Sequence, residues 1–180
     1  MTTFDIDKRF GNRANALAND YYVEYFGQFG DMTEIERFPE GAARHILDRE
    51  FAIDVRIHVR PRDSRLAETV FTLQEKFRRP SARRYHDLTI EFMQDRFSQV
   101  GGDWTHLAVD YYAYGYLDRP AEPTGFTEFY LIRYRELKEA LLRGVIPFSV
   151  VPSSSMASML TIRLDSIPSG IFAVQKKNGA

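Results

Sequence analysis

The residues best suited to chemistry in this chain are Asp54, Gln74, Glu75 and Lys76, with Arg56, Arg78, Arg79, Arg83 and Arg84 around them. An acid, an amide and a lysine brought to one place suit a divalent cation and a phosphodiester. The carboxylate and the amide oxygen are hard ligands, and the ammonium meets phosphate charge. Their meeting depends on two segments. In Phe51–Val59 apolar and polar residues alternate. Phe51, Ile53, Val55, Ile57 and Val59 therefore share one face of a strand, and Asp54, Arg56 and His58 the other. In Glu68–Arg79, Leu73, Glu75 and Phe77 share one face, and Gln74 and Lys76 the opposite one. Paired as a hairpin, the two segments bring Asp54, Gln74 and Lys76 together.

The arginines have two readings. Lys76, Arg78, Arg79, Arg83 and Arg84 crowd one short stretch, just after Arg56, Arg60, Arg62 and Arg65. Such a run is either a solvated surface or a set of phosphate contacts beside the site. Elsewhere, Asp87, Thr89 and Glu91 share a strand face, read first as a solvated edge and, as the alternative, as the place where Glu91 supplements the acids. His106, Ala108, Asp110, Tyr112 and Tyr114 are expected to share another. His58 and His86 lack metal-ligand spacing. No G-x-S-x-G surrounds Ser153-Ser154-Ser155, and there is no Gly-rich phosphate loop, which argues against a serine hydrolase and against nucleotide hydrolysis.

The elements that must position these residues follow from periodicity and breakers. Asn12–Phe29 is expected to be a helix, with Ala14, Leu17, Tyr21 and Tyr25 at helical spacing and Gly30 as its stop. Met32–Phe38 is a short strand, Pro39-Glu40-Gly41 a turn, and Ala42–Asp48 fits either state. After the two alternating segments, Asp87–Met93 reads as a third strand and Trp104–Leu117 as a fourth. Gln94–Val100 lies between them as a short helix or loop. Phe126–Arg143 reads as a helix closed by Gly144, and strand-like pieces follow at Pro147–Pro152, Met159–Leu164 and Ile171–Val174. This order gives an α+β fold with a mixed sheet flanked by helices. One domain covers residues 1–180, with a core of about 12–143 and a C-terminal β extension of about 145–180.

Ile53-Asp54 on one strand and Gln74-Glu75-Lys76 on the next resemble the core motif of the PD-(D/E)XK nuclease superfamily, in its Q-x-K variant. The Pro before the Asp is absent, and Gln replaces the second acid. The expected order of elements is similar to the family's αβββαβ core. The resemblance implies a restriction-endonuclease-like fold and hydrolysis of DNA phosphodiesters with Mg²⁺ or Mn²⁺. Asp54, Gln74 and Lys76 take the catalytic positions. Asp54 and Gln74 become metal ligands, with Glu75 contributing its main-chain carbonyl or, if a bulge turns it, its side chain. An acid from the first helix, Asp20 or Glu24, is also expected. Arg56, Arg78, Arg79, Arg83 and Arg84 would hold nucleic acid. Small single-domain members of this kind resemble phage or mobile-element proteins. Two alternatives remain: an inactive nucleic-acid-binding module on the same core, and a protein-interaction domain whose Tyr- and Phe-rich surface meets a partner. A homodimer fits either the nuclease or the interaction reading.

Composition narrows the classes. The chain has 180 residues, 44% hydrophobic and 27% charged, as ordinary globular domains do. Its net charge of −1 argues against sequence-independent coating of nucleic acid. It has no cysteine, which excludes disulfides and thiolate metal sites. No apolar run reaches the ~20 residues of a membrane helix, and no apolar signal region opens the chain, so a cytoplasmic location is expected.

Overall fold

The computed structural model describes residues 3–38, 51–153 and 156–177. Helix α1 (Thr3–Phe26) leads into strands β1 (Asp31–Arg37), β2 (Val55–Arg60) and β3 (Thr69–Arg78). A 3-10 turn (Pro80–Tyr85) precedes β4 (Asp87–Asp95) and β5 (Val100–Gly101). The short helix α2 (Asp103–His106), β6 (Tyr111–Leu117), β7 (Phe126–Arg133) and helix α3 (Tyr134–Leu142) follow. The chain ends with β8 (Ser149–Pro152), β9 (Ser158–Arg163) and β10 (Phe172–Lys177). The turn expected at Pro39-Glu40-Gly41 and the ambiguous Ala42–Asp48 lie outside the described residues.

Two sheets form. The first is mixed and six-stranded, in the order β1-β2-β3-β6-β7-β10. Its strands β1, β2 and β3 make an antiparallel meander, and β6 runs parallel to β3. The second sheet has the order β5-β4-β9-β8 and is antiparallel throughout. The fold is α+β, as expected. The crossover from β3 to β6, however, is built from β4, β5 and α2 rather than from a helix alone. The C-terminal β segment is no appendage: β9 pairs along β4, and β10 closes one edge of the first sheet.

The first sheet is covered on both faces. On one, α1 lays down Phe10, Ala14, Ala18, Tyr22 and Phe26 at four-residue spacing, all buried with Val55, Ile57, Val59 and Leu73. The alanines leave room for the helix to approach the strands. On the other face, Tyr112, Tyr114, Tyr116, Tyr130 and Ile132 pack against Leu88, Ile90, Leu160 and Ile162 of the second sheet and Leu137 and Leu141 of α3. Tyrosine hydroxyls tie the layers together. Tyr112 donates to the Thr89 carbonyl at 3.1 Å and Tyr116 to the Asp87 carbonyl at 2.7 Å.

Three expectations are corrected here. Phe126–Arg143 is not one helix: Phe126–Arg133 is strand β7, and only Tyr134–Leu142 is helical. Almost every residue of β7 is buried because both its faces are covered, so it shows no alternation. Trp104–Leu117 is not one strand either, since α2 takes Trp104 and His106 away from the face of Tyr112 and Tyr114. Finally, Ile53 does not share a face with Val55. Regular strand begins only at Val55, and Ile53, between it and the left-handed Ala52 at φ 50, joins the opposite core.

Candidate functional site

The site is organised by β3. Leu73 and Phe77 pack toward α1, and Glu75 goes with them. The Glu75 carboxylate accepts from the Tyr22 hydroxyl at 2.8 Å and pairs with Arg37 at 3.0 Å; its side chain is 6% exposed. Arg37 also donates to Asn19 at 2.8 Å and to the Asn15 carbonyl at 2.9 Å. Burial together with the Glu75 charge raises the Tyr22 pKa. Alternation therefore keeps the Glu75 side chain away from Gln74 and Lys76. No bulge turns it, and a side-chain role for Glu75 beside them is corrected.

Gln74, Lys76 and Arg78 face the second sheet. They stand in register with Tyr112, Tyr114 and Tyr116 of β6. Arg78 is fixed there by a 2.7 Å hydrogen bond to Thr89 of β4. Lys76 has neither a hydrogen bond nor an ion pair with the described residues. Burial, then the Arg78 charge, pushes its pKa down to about 8, while Asp103, Glu91 and Asp87 pull it back up. Gln74 Oε1 is buried and accepts no hydrogen bond. An unsatisfied acceptor, Gln74 Oε1, and an unpartnered donor, the Lys76 ammonium, thus belong to side chains two residues apart on one face.

Asp54 lies where β1, β2 and β3 meet. Its amide donates to the Leu73 carbonyl at 2.9 Å, and its carbonyl accepts from Phe38 at 3.1 Å. Its Oδ2 accepts from the Glu75 amide at 2.8 Å. The carboxylate is therefore seated against the Gln74–Glu75 peptide, at the point where β3 runs past the start of β2. The charge of Asp54 is felt by Tyr112 on one side of the sheet and by Tyr22 on the other.

The second sheet supplies acids that the strand motif alone did not single out. Glu91 of β4 and Asp103 of α2 both act on Lys76. Gly102 sets the start of α2 against Glu91. A Cβ at Gly102 would lie 2.6 Å from Glu91 Cγ and 2.8 Å from the Glu91 carbonyl oxygen, so only glycine lets α2 begin on top of Glu91. Tyr134, 2% exposed, borders the same place. Its hydroxyl has no partner, and Asp103 adds to burial in raising its pKa. Glycine before a short acidic helix was the available signal, but Gly101-Gly102 also reads as an ordinary strand terminator. Among the described residues no three His, Cys, Asp or Glu side chains converge on one metal position.

The remaining expected residues are dispersed. Asp20 is exposed on α1, and Glu24 pairs with Lys176 of β10. The apolar stripe of α1 turns both away from the sheet, so neither is a helix acid for this site. Arg56 pairs with Glu36 at 2.6 Å. Arg79 donates to the Pro120 carbonyl at 2.7 Å and lies 4.7 Å over the Phe10 ring. Arg83 pairs with the buried Glu128 at 2.7 Å. Arg84 is exposed and, among the described residues, holds only Tyr85. These arginines do not form one phosphate-facing surface, because the 3-10 turn after β3 sends successive guanidiniums to different layers.

No family model, no curated protein and no solved structure matches the chain. No helix among the described residues is long and apolar enough to cross a membrane.

Proposed function

We propose that this chain is a metal-dependent nuclease that hydrolyses DNA phosphodiesters at the inner face of β3. The observation that carries the reading is the pair Gln74 and Lys76, held without partners between the two sheets beside Asp54. A largely buried lysine with no hydrogen-bonded or ion-paired partner is unfavourable for folding, and such groups concentrate where a charged ligand supplies the partner. The meander β1-β2-β3 followed by the parallel β6 supports the resemblance to the PD-(D/E)XK core, and β4, β5 and α2 take the place of its second helix.

In this reading Asp54 and the Gln74 amide oxygen would hold the cation, Mg²⁺ or Mn²⁺, which would supply polarisation of the phosphoryl group and a lowered pKa for the attacking water. Lys76 donates to the non-bridging phosphate oxygen as charge develops on it. Arg78, locked to Thr89, adds positive charge on the same face. A cytoplasmic location accords with this activity.

The test is nicking of plasmid DNA and cutting of branched and single-stranded DNA with Mg²⁺, with Mn²⁺ and with EDTA. Cleavage is expected only with metal, and is expected to be lost in Lys76→Ala and Asp54→Asn. Activity that survives EDTA, or persists in Lys76→Ala, overturns the mechanism. A second reading is a non-catalytic nucleic-acid-binding module. The absence of three converging acids among the described residues favours it, and metal-independent DNA binding without cleavage is its signature.

A further inference from the structure

We propose that two copies of this chain form a two-fold dimer through β8, the free edge of one β8 pairing antiparallel with β8 of the second copy. The inference goes beyond the nuclease reading and stands without it.

Among the described residues four strands end a sheet: β1 and β10 in the first, β5 and β8 in the second. Such edges are normally blunted by charge or by shortness, because their open N–H and C=O groups template association. β1 carries Asp31, Glu34, Glu36 and Arg37, β10 carries Lys176 and Lys177, and β5 is two residues long. β8 is longer and bears no charge. From Gly144 to Ile162 there is no Asp, Glu, Lys, Arg or His, in a chain that is 27% charged.

The backbone of β8 is set for a partner strand. Ser153 donates to the Ala157 carbonyl at 3.1 Å, so Ser149, Val151 and Ser153 turn their backbone groups toward β9. Val150 and Pro152 turn theirs outward, where no backbone hydrogen bond from the described residues meets them. Pro152 lies where a missing N–H costs the sheet nothing. The side chains agree. Val150 is opposite the buried Leu160 and shares its core-facing side, yet it is 45% exposed, and Phe148 is 49% exposed. The core therefore stops short of β8 and leaves this ledge of apolar side chains open.

A second copy fits the edge better than another strand does. With Val150 on the two-fold axis, the two Val150 residues exchange a pair of hydrogen bonds, and each Phe148 N–H meets the Pro152 carbonyl of the other copy. The proline, which has no donor, is thus used only as an acceptor. Phe148, Val150 and Pro152 of both copies then share one face, with no like charges opposed. An uncharged edge has nothing with which to select a charged peptide. Pairing β8 with itself also closes the assembly, because it consumes the one unprotected edge of each copy.

Sedimentation velocity of the full chain from about 1 to 300 μM, the affinities open to a small interface, tests this. Wild type is expected to pass from monomer to dimer and no further. Val150→Lys and Val150→Glu each set like charges against each other on the axis, and each is expected to weaken dimerisation at least about ten-fold. Mixed in equal amounts, the two variants are expected to recover it, a result unfolded chains cannot give. Leu66→Lys, at a 62% exposed residue between β2 and β3, is expected to dimerise as wild type does. A wild-type chain that stays monomeric leaves β8 to some other partner and overturns the proposal. Growth beyond the dimer, unchanged dimerisation of both Val150 variants, or no recovery in their mixture overturns it as well.

Discussion

Replacing Lys76 with Met separates a lysine kept for a ligand from one that braces the fold. Lys76 titrates at an ordinary 10.5 in the unfolded chain and at about 8 in the folded one. The folded state therefore binds the proton less tightly. Below about pH 8 the lysine is charged in both states, and folding bears the full cost of burying it. Between pH 8 and 10.5 the folded protein releases the proton first and the cost fades, so stability rises with pH there. At about 1.4 kcal/mol per pH unit, the difference amounts to about 3 kcal/mol. Lys76→Met removes the charge and keeps most of the aliphatic volume. It is expected to be more stable than wild type at pH 7, by up to that amount, with the two converging toward pH 10.5. Urea unfolding followed by the fluorescence of the single tryptophan, Trp104, at pH 7, 8.5 and 10 measures this. Other groups that titrate in this range are common to both chains and cancel. A difference that does not change with pH would refute the reasoning. So would a Lys76→Met chain less stable than wild type at pH 7, because Lys76 would then be ion-paired in solution.

Two further outcomes are expected. Arg83→Ala strands the buried Glu128 carboxylate, leaving it only the Tyr130 hydroxyl at 2.6 Å and His86 at 3.7 Å, and should cost about 2 kcal/mol in a urea melt. Arg84→Ala removes only exposed contacts and should stay within about 0.5 kcal/mol of wild type; equal losses from the two would count against the assignment of Arg83 to the interior. Gly102→Ala drives a methyl group into Glu91, so α2 must shift. We expect a loss of about 1–3 kcal/mol in a urea melt. Gly125→Ala, where nothing lies within 4 Å, is the control, and wild-type behaviour of both variants would show that α2 is not seated on Glu91.

The inner and outer faces of β3 were legible because alternation survives wherever each face meets a different environment. Leu73 and Phe77 meet a helix, while Lys76 and Arg78 meet a sheet edged with polar groups. The same rule failed for β7. With both faces of Phe129, Tyr130, Leu131 and Ile132 buried, nothing polar marks a period, and the apolar run merges with the true helix that begins at Tyr134. It failed again at Ile53, which lies between the left-handed Ala52 and the start of β2 at Val55 and joins the opposite core. Glu91 and Asp103 were visible as acids but not as neighbours of Lys76. Their approach depends on β4 pairing with β9 and on the contact at Gly102, and neither leaves a local trace.

The partner of β4 also sets the order of events in folding. Thr89, which anchors Arg78, is paired across the sheet with Thr161, and Ile90 with Leu160. That partner strand is synthesised long after β3 and β4. A nascent chain is therefore expected to hold the meander early, from contacts close in sequence, and to carry the β9-facing edge of β4 unpaired until residue 163 is available. The gap between the sheets closes over Lys76 only at that stage. Chains truncated before β9 should retain α1 and the meander yet expose Lys76 and the tyrosines of β6 to water. Such chains are the form most prone to aggregation, because a bare β4 edge invites pairing with another molecule.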